Sequence, residues 1–333
     1  MSVELRVVQQ DLLDVDADVL AVKHAQGFHA SDGLVAERLE AKGISRRSLE
    51  SEPDEARLTP SRGALAAKQV MFLGTVPISG FGYHDVRRFA GRALEALPSG
   101  TRSLALTLHG ANCGLDEGEG VLALAGGLID AVQKGMAPGS LEKVLIVEKR
   151  EARAKRLHQT LLERLSTMAG VAVKNGSFLI ARPGTSSAPS TTLSLPTHGT
   201  GTVDKPHAFV AMPFAAEFED VFHYGLQTPI HRAGLLCERV DAAVFEGLII
   251  QRILSRIASA RVVVADLTGA NPNVYLEVGY AWALKVPTVL VARHPDELRF
   301  DVKGHRCLMY GGSIRELEKM VAAELQSLGL GAT

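Results

Sequence analysis

The chain has 333 residues, with 36 Lys and Arg against 37 Asp and Glu. That balance excludes a basic field for nucleic acid and an acidic solvating tail, and the length predicts two domains rather than one core. No stretch approaches the ~18 apolar residues of a membrane helix, and MSVELRVVQQ opens without an apolar signal core, so a cytoplasmic protein with no nucleic-acid or membrane partner is expected.

Extended apolar runs then alternate with helical ones. LRVVQQ and DVLAVKHA read as strands, followed by a helix near Gly33 to Ala41, the strand QVMFLGT, a helix near His84 to Ala96, the strand SLALTLHG, and a helix near Gly120 to Lys134. KVLIVEK, a helix near Ala152 to Met168 and one extended run, VAVKNGSFLI, complete the first half. Residues 181–206 are rich in Ser, Thr, Pro and Gly without either periodicity, and predict a flexible linker between a domain of residues 1–180 and a domain of residues 207–333. Past it come HAFVAM, a helix from Ala216 to Ala233, LLCERVD, a helix from Gly247 to Ala258, RVVVADL, the helix in NPNVYLEVGYAWALK, PTVLVA, RCLMY, and a last helix from Ile314 to Leu328. Alternation of this kind predicts a three-layer α/β domain with a mostly parallel sheet in each half.

Between Val274 and Leu284 the only charge is Glu277. A carboxylate in so apolar a run snorkels out, is neutralised, or serves chemistry, because burying an unpaired charge is costly or shifts its pKa. In open α/β sheets, ligands lie beyond the carboxyl ends of the strands. Those ends carry Phe214, Arg239 with Asp241, and Asp266 with Thr268, Asn271 and Asn273. Asn271 before Pro272 fits a helix cap, which puts Glu277 in the second turn. Plainer readings exist for each: Asn271 as a cap only, Asp266 as a turn residue, Glu277 as a structural acid paired with Arg239. An apolar helix face would raise the Glu277 pKa while the helix N-terminus and Arg239 would lower it, a balance compatible with an ionised form at neutral pH. The three cysteines, Cys113, Cys237 and Cys307, have neither disulfide nor metal spacing, and no metal or cofactor is implied.

FVAMPF, CERVD, VVVADLTGANPNVYLEVGYAWALKVPTVLVA and FDVKGHRCLMY resemble the nucleoside 2-deoxyribosyltransferase-like families, neighbours of Toll/interleukin-receptor (TIR) domains, over residues 205 to about 312. The resemblance implies a flavodoxin-like fold, a catalytic strand-end acid at Asp266, and a nucleophilic glutamate at Glu277 with Gly279 and Ala281 beside it. It departs at Asn271, where the transferases commonly carry Asp, so base protonation cannot run through a carboxylate there. Phe214 or Tyr280 would stack on the base, and Arg239, Asp241, Thr268, Asn271 and Asn273 would contact the remaining substrate. An ionised carboxylate beneath C1′ stabilises or traps an oxocarbenium-like transition state, as in retaining glycosidases.

VVQQDLLDVDADVLAVKHAQGFHASDGLVAERL is more weakly similar to the opening of macro domains and of leucine aminopeptidase N-terminal domains. That resemblance implies ADP-ribose or nucleotide binding, or a scaffold, with Asp11 at the adenine. The second phosphate loop would be residues 109–120, HGANCGLDEGEG, with Gly110, Asn112 and Gly114. Together the resemblances imply an N-glycosidase acting on a nucleotide, with NAD as a possible substrate, controlled by a nucleotide signal on the first domain. The pairing is similar to that in bacterial antiviral defence proteins. The alternatives are a metabolic deoxyribosyltransferase or nucleoside-phosphate hydrolase, and a non-catalytic nucleotide-binding module. Phe218, Val221, Phe222, Leu317, Met320 and Leu325 give more apolar faces than two thin domains need, so a homo-oligomer is expected.

Overall fold

The computed structural model describes residues 2–111, 113–183, 205–240 and 248–330. They fall into two compact units, residues 1–111 with 117–203, and residues 112–116 with 204–333. Both are α/β, each built on one mostly parallel sheet.

The first unit holds β1 (Ser2–Gln9), β2 (Val19–His24), α1 (Ala30–Glu40), β3 (Ala56–Pro60), β4 (Gln69–Gly74), α2 (Tyr83–Glu95), β5 (Ser103–Leu106), α3 (Glu117–Gln133), β6 (Lys143–Glu148), α4 (Glu151–Leu165), β7 (Val171–Lys174) and β8 (Ser177–Ala181). Its sheet runs β3-β4-β2-β5-β6-β1-β8-β7. The central strands β2 and β5 are buried at every residue, which is why VLAVKH and SLAL read as continuous apolar runs rather than alternating ones. The run VAVKNGSFLI is not one strand but an antiparallel hairpin. Asn175 and Gly176 both take positive φ, 50° and 74°, the conformation a tight two-residue hairpin turn demands. The edge strand β3, antiparallel to β4 and mostly exposed, left no apolar signature in the sequence.

The second unit continues with β9 (His207–Ala211), α5 (Thr228–Arg232), β10 (Leu236–Glu238), α6 (Leu248–Ala258), β11 (Val262–Asp266), α7 (Pro272–Ala283), β12 (Thr288–Ala292), β13 (Cys307–Met309) and α8 (Ile314–Ser327). All pairings in its sheet are parallel, in the order β10-β9-β11-β12-β13. Chain order therefore reverses between β9 and β11, the switch point where doubly wound sheets open a crevice.

The single helix expected from Ala216 to Ala233 is instead a composite. A 3-10 turn at Ala216–Phe218 leads into π-helix at Val221–Gln227 and then α5. Pro229 has no amide to give the carbonyl four residues back, and its ring crowds that turn. The Thr228 hydroxyl donates to the His223 carbonyl at 2.9 Å and satisfies part of the widened ladder. Phe218, Val221, Phe222, Leu317 and Leu325 are buried in one core with Ala208, Val210, Val262 and Val264, and Met320 packs against it. The apolar faces that suggested an oligomer are thus used within the unit's own core.

Candidate functional site

Helix α7 begins where Asn271 caps it. The Asn271 side chain accepts from the Asn273 amide at 3.0 Å and Pro272 takes the first helical position. From that start Val274, Val278 and Ala281 form the buried stripe. Glu277 falls on the same stripe, since 274, 277, 278 and 281 are the i, i+3, i+4, i+7 positions of a helix's inward face. A carboxyl thus occupies a place that packing would give to an aliphatic side chain. Among the described residues it makes no hydrogen bond or ion pair, and burial alone pushes it up to about 8.

Arg239, expected as its counter-charge, is engaged elsewhere. Its guanidinium donates to Glu219 Oε1 at 2.7 Å and lies between two rings, 3.8 Å from the Phe222 centroid and 4.7 Å from that of Phe214. With that charge already balanced, no group among the described residues lowers the Glu277 pKa, and burial favours the protonated carboxyl at neutral pH. Phe214 keeps more than a third of its surface in water.

Asp266, at the end of β11, is fully buried. Its Oδ1 accepts from the Thr268 amide at 3.0 Å, and its Oδ2 accepts from the Tyr310 hydroxyl at 3.3 Å. The Thr268 hydroxyl sits 3.2 Å from the Tyr310 hydroxyl and accepts from the Arg293 amide at 3.0 Å. Burial raises the Asp266 pKa, and these hydrogen bonds only partly oppose it. One network therefore ties together the carboxyl ends of β11, β12 and β13. Sequence reading missed Tyr310, although it directly follows β13, where the strand-end rule points. It also missed Glu219, which nothing but proximity to Arg239 distinguishes.

Asn273 is exposed and Tyr280 half-buried. The connection from β12 to β13 touches α7 at two points: the Arg299 amide donates to the Tyr275 hydroxyl at 3.0 Å, and His305 stacks on Trp282 with centroids 4.2 Å apart. Asp241 and Asn112 lie outside the described residues.

In the first unit, Asp11 follows β1 and pairs with Lys149 at 2.8 Å, which with the Leu13 amide holds its carboxyl below the usual range. Gly110 and Gly114 both have positive φ. The Gly114 amide, in the second unit, donates to the Arg239 carbonyl at 3.1 Å, so it is occupied by protein. Lys23, at the end of β2, and Asp32, in α1, form a buried ion pair of 3.0 Å. Burial holds His109 well below its usual pKa, and Lys23 adds to the effect.

Among the described residues no cluster of His, Cys, Asp or Glu is placed to hold a metal, and no helix is long and apolar enough to cross a membrane. Burial raises the Cys237 thiol well above its usual pKa and the Cys307 thiol to about 11. No family model and no curated protein matches the chain. Among solved structures, a Trypanosoma brucei macrodomain in complex with ADP is 17% identical over 47% of this chain and 69% of its own, at a TM-score of 0.38. An Oceanobacillus iheyensis macrodomain with MES bound is 15% identical over 49% of this chain and 92% of its own, at 0.39. The bottromycin maturation enzyme BotP is 15% identical over 92% of this chain and 89% of its own, at 0.29. Likenesses of this size assign no residue.

Proposed function

We propose that the second unit cleaves the bond between a base and its ribose in a nucleotide, with Glu277 as the carboxylate that faces C1′. The observation that carries this reading is the Glu277 carboxyl on the inward stripe of α7, without a partner among the described residues and next to a switch point. Helices do not place an uncompensated acid on a packing face without cost, and perturbed acids of this kind cluster at functional sites. Positive charge developing at C1′, or a cationic base such as the pyridinium of NAD, would supply the missing counter-charge and drive the proton off. In the transition state the carboxylate then either stabilises the oxocarbenium ion or forms a covalent ribosyl intermediate that water resolves.

Phe214, with Arg239 stacked beneath it, would hold the base by its outer face. Asp266 has no exposed surface and Thr268 and Tyr310 almost none, so the part of this network is to hold the strand ends in place beneath the sugar. A nucleotide on the first unit would regulate turnover, in keeping with the antiviral role that the resemblance implies. The test is to incubate the full chain with NAD, nucleoside monophosphates and deoxynucleosides and to separate the released base by chromatography. Because the free enzyme needs Glu277 ionised, kcat/KM should rise about tenfold per pH unit up to about 8 and then level off. No base release from any of these substrates would leave a binding module.

A further inference from the structure

The first unit contains a second polar hollow, of about 430 Å³, lined by His24, Gly27, Phe28, Arg47, Glu50, Ser51, Glu52, Glu55 and Arg57 among others. It shares no residue with the site above or with Asp11. One of its walls, residues 51–55, is built rather than incidental. Gly74, at the end of β4, allows the Ser51–Glu52 backbone to press against it: a Cβ there would lie 1.8 Å from the Glu52 carbonyl oxygen. The Gly74 amide donates to the Glu55 carbonyl at 2.9 Å, and the Asp54 amide donates to the Gly74 carbonyl at 3.1 Å, so the wall from 51 to 55 is clamped onto the sheet.

His24 is 5% exposed. Its Nδ1 lies 3.0 Å from the Ser51 carbonyl and 3.3 Å from the Ser51 amide, while its Nε2 has no partner among the described residues. In the tautomer that donates from Nδ1 to the Ser51 carbonyl, the shorter of the two contacts, Nε2 is left as an acceptor. Around it, charges of both signs stand apart. Arg57 pairs with Glu55 at 2.9 Å, but Arg47, Glu50 and the Glu52 carboxyl form no ion pair among the described residues although they border the same space.

We propose that this hollow binds a zwitterionic molecule of amino-acid to dipeptide size. The ligand's carboxylate meets Arg47, its ammonium meets Glu50 and Glu52, and a donor on the ligand reaches His24 Nε2. Three carboxylates against two guanidiniums disfavour a polyanion such as a nucleoside diphosphate. A dipolar ligand satisfies both signs at once, and about 430 Å³ accommodates a molecule of that size.

The experiment is thermal denaturation and calorimetry of the full chain against the twenty amino acids and a set of dipeptides, with inorganic phosphate and ADP-ribose as comparators. The expected result is that at least one zwitterion raises the melting temperature and binds with micromolar to millimolar affinity. Binding should weaken at least tenfold in Arg47→Ala and separately in Glu50→Gln; both positions are exposed, so the variants keep the fold. Blocking the ligand's amine by acetylation should weaken binding as Glu50→Gln does. The proposal is overturned if no zwitterion binds, if binding survives both substitutions, or if only phosphate or ADP-ribose binds in a way that Arg47→Ala abolishes.

Discussion

Asp32 in the first unit and Glu277 in the second are both acids on helices that follow a sheet strand, and their surroundings could hardly differ more. Asp32 is completely buried and fully satisfied: Lys23 Nζ lies 3.0 Å from one oxygen, and the His29 amide donates to the other at 2.7 Å. Glu277 is half-buried and has neither a cation nor a donor among the described residues. A buried acid that serves the fold is accompanied by its partners, because breaking such a pair leaves a charge uncompensated. An acid held away from water without partners costs stability, and that cost marks it as kept for something the protein meets later. Burial alone does not separate the two; the partner does.

The comparison predicts opposite outcomes for the two positions. Asp32→Ala leaves Lys23 charged and unpaired in the interior and should cost about 3–5 kcal/mol in urea denaturation followed by circular dichroism. Replacing both partners with apolar residues, Lys23→Met with Asp32→Leu, should recover most of that loss. A single-variant cost below about 1 kcal/mol would show that the pair contributes no more than a surface bridge. Glu277→Gln should instead leave the fold intact and lower base release by about 10²–10³-fold, the loss that follows removal of a preorganised charge in a transition state. Activity within a few-fold of the parent would return Glu277 to the class of structural acids.

Glu277 should also reveal itself in the pH dependence of stability. Its folded-state pKa, about 8, lies above the ordinary 4.5, so between those values only the folded state holds the proton. The contribution of Glu277 to stability should therefore be greatest below about pH 4.5 and fall as pH rises towards 8, by at most about 1.4 kcal/mol per pH unit, before levelling off. The sign is opposite to that of an ion-paired carboxylate, which loses stability as pH falls. Trp282 is the sole tryptophan of the chain and sits in α7, so its fluorescence follows the second unit. In Glu277→Gln this slope should flatten, and at pH 8 the variant should be more stable than the parent by about 1–3 kcal/mol, the stability–activity exchange expected of a functional residue. Parallel pH profiles for parent and variant would remove Glu277 as the cause.

Much of this contrast was legible in the sequence and part of it was not. The α/β class and the position of nearly every strand follow from apolar runs alternating with helical periodicity, because strands covered on both faces have no polar positions to confuse the pattern. The Asn271–Pro272 start placed Glu277 in the second turn of α7, as the structure has it. Partner choice was not legible. Arg239 directly follows β10, and only the fold shows that Glu219 takes its charge. The break in the helix around Pro229 also escaped, since the run keeps its apolar spacing while its hydrogen bonds change. Tyr310 completes the Asp266 network across two strands, and no local pattern encodes a contact between residues 44 apart.

The smallest expected effect tests how far the resemblance around Glu277 extends. Gly279 is exposed in the middle of α7, and a Cβ added there would meet nothing within 4 Å. Glycine inside a helix costs up to about 1 kcal/mol relative to alanine. Gly279→Ala should therefore raise the second unit's stability by up to that amount in the Trp282 melt. Two residues on from Glu277, position 279 points to the far side of the helix, some 200° around the axis at 100° per residue. Base release should then stay within about twofold of the parent, because a methyl group there is turned away from the carboxyl. If stability rises but base release falls tenfold or more, the ligand approaches α7 over the 279 face. Glu277 would then act from the flank of the site rather than its floor.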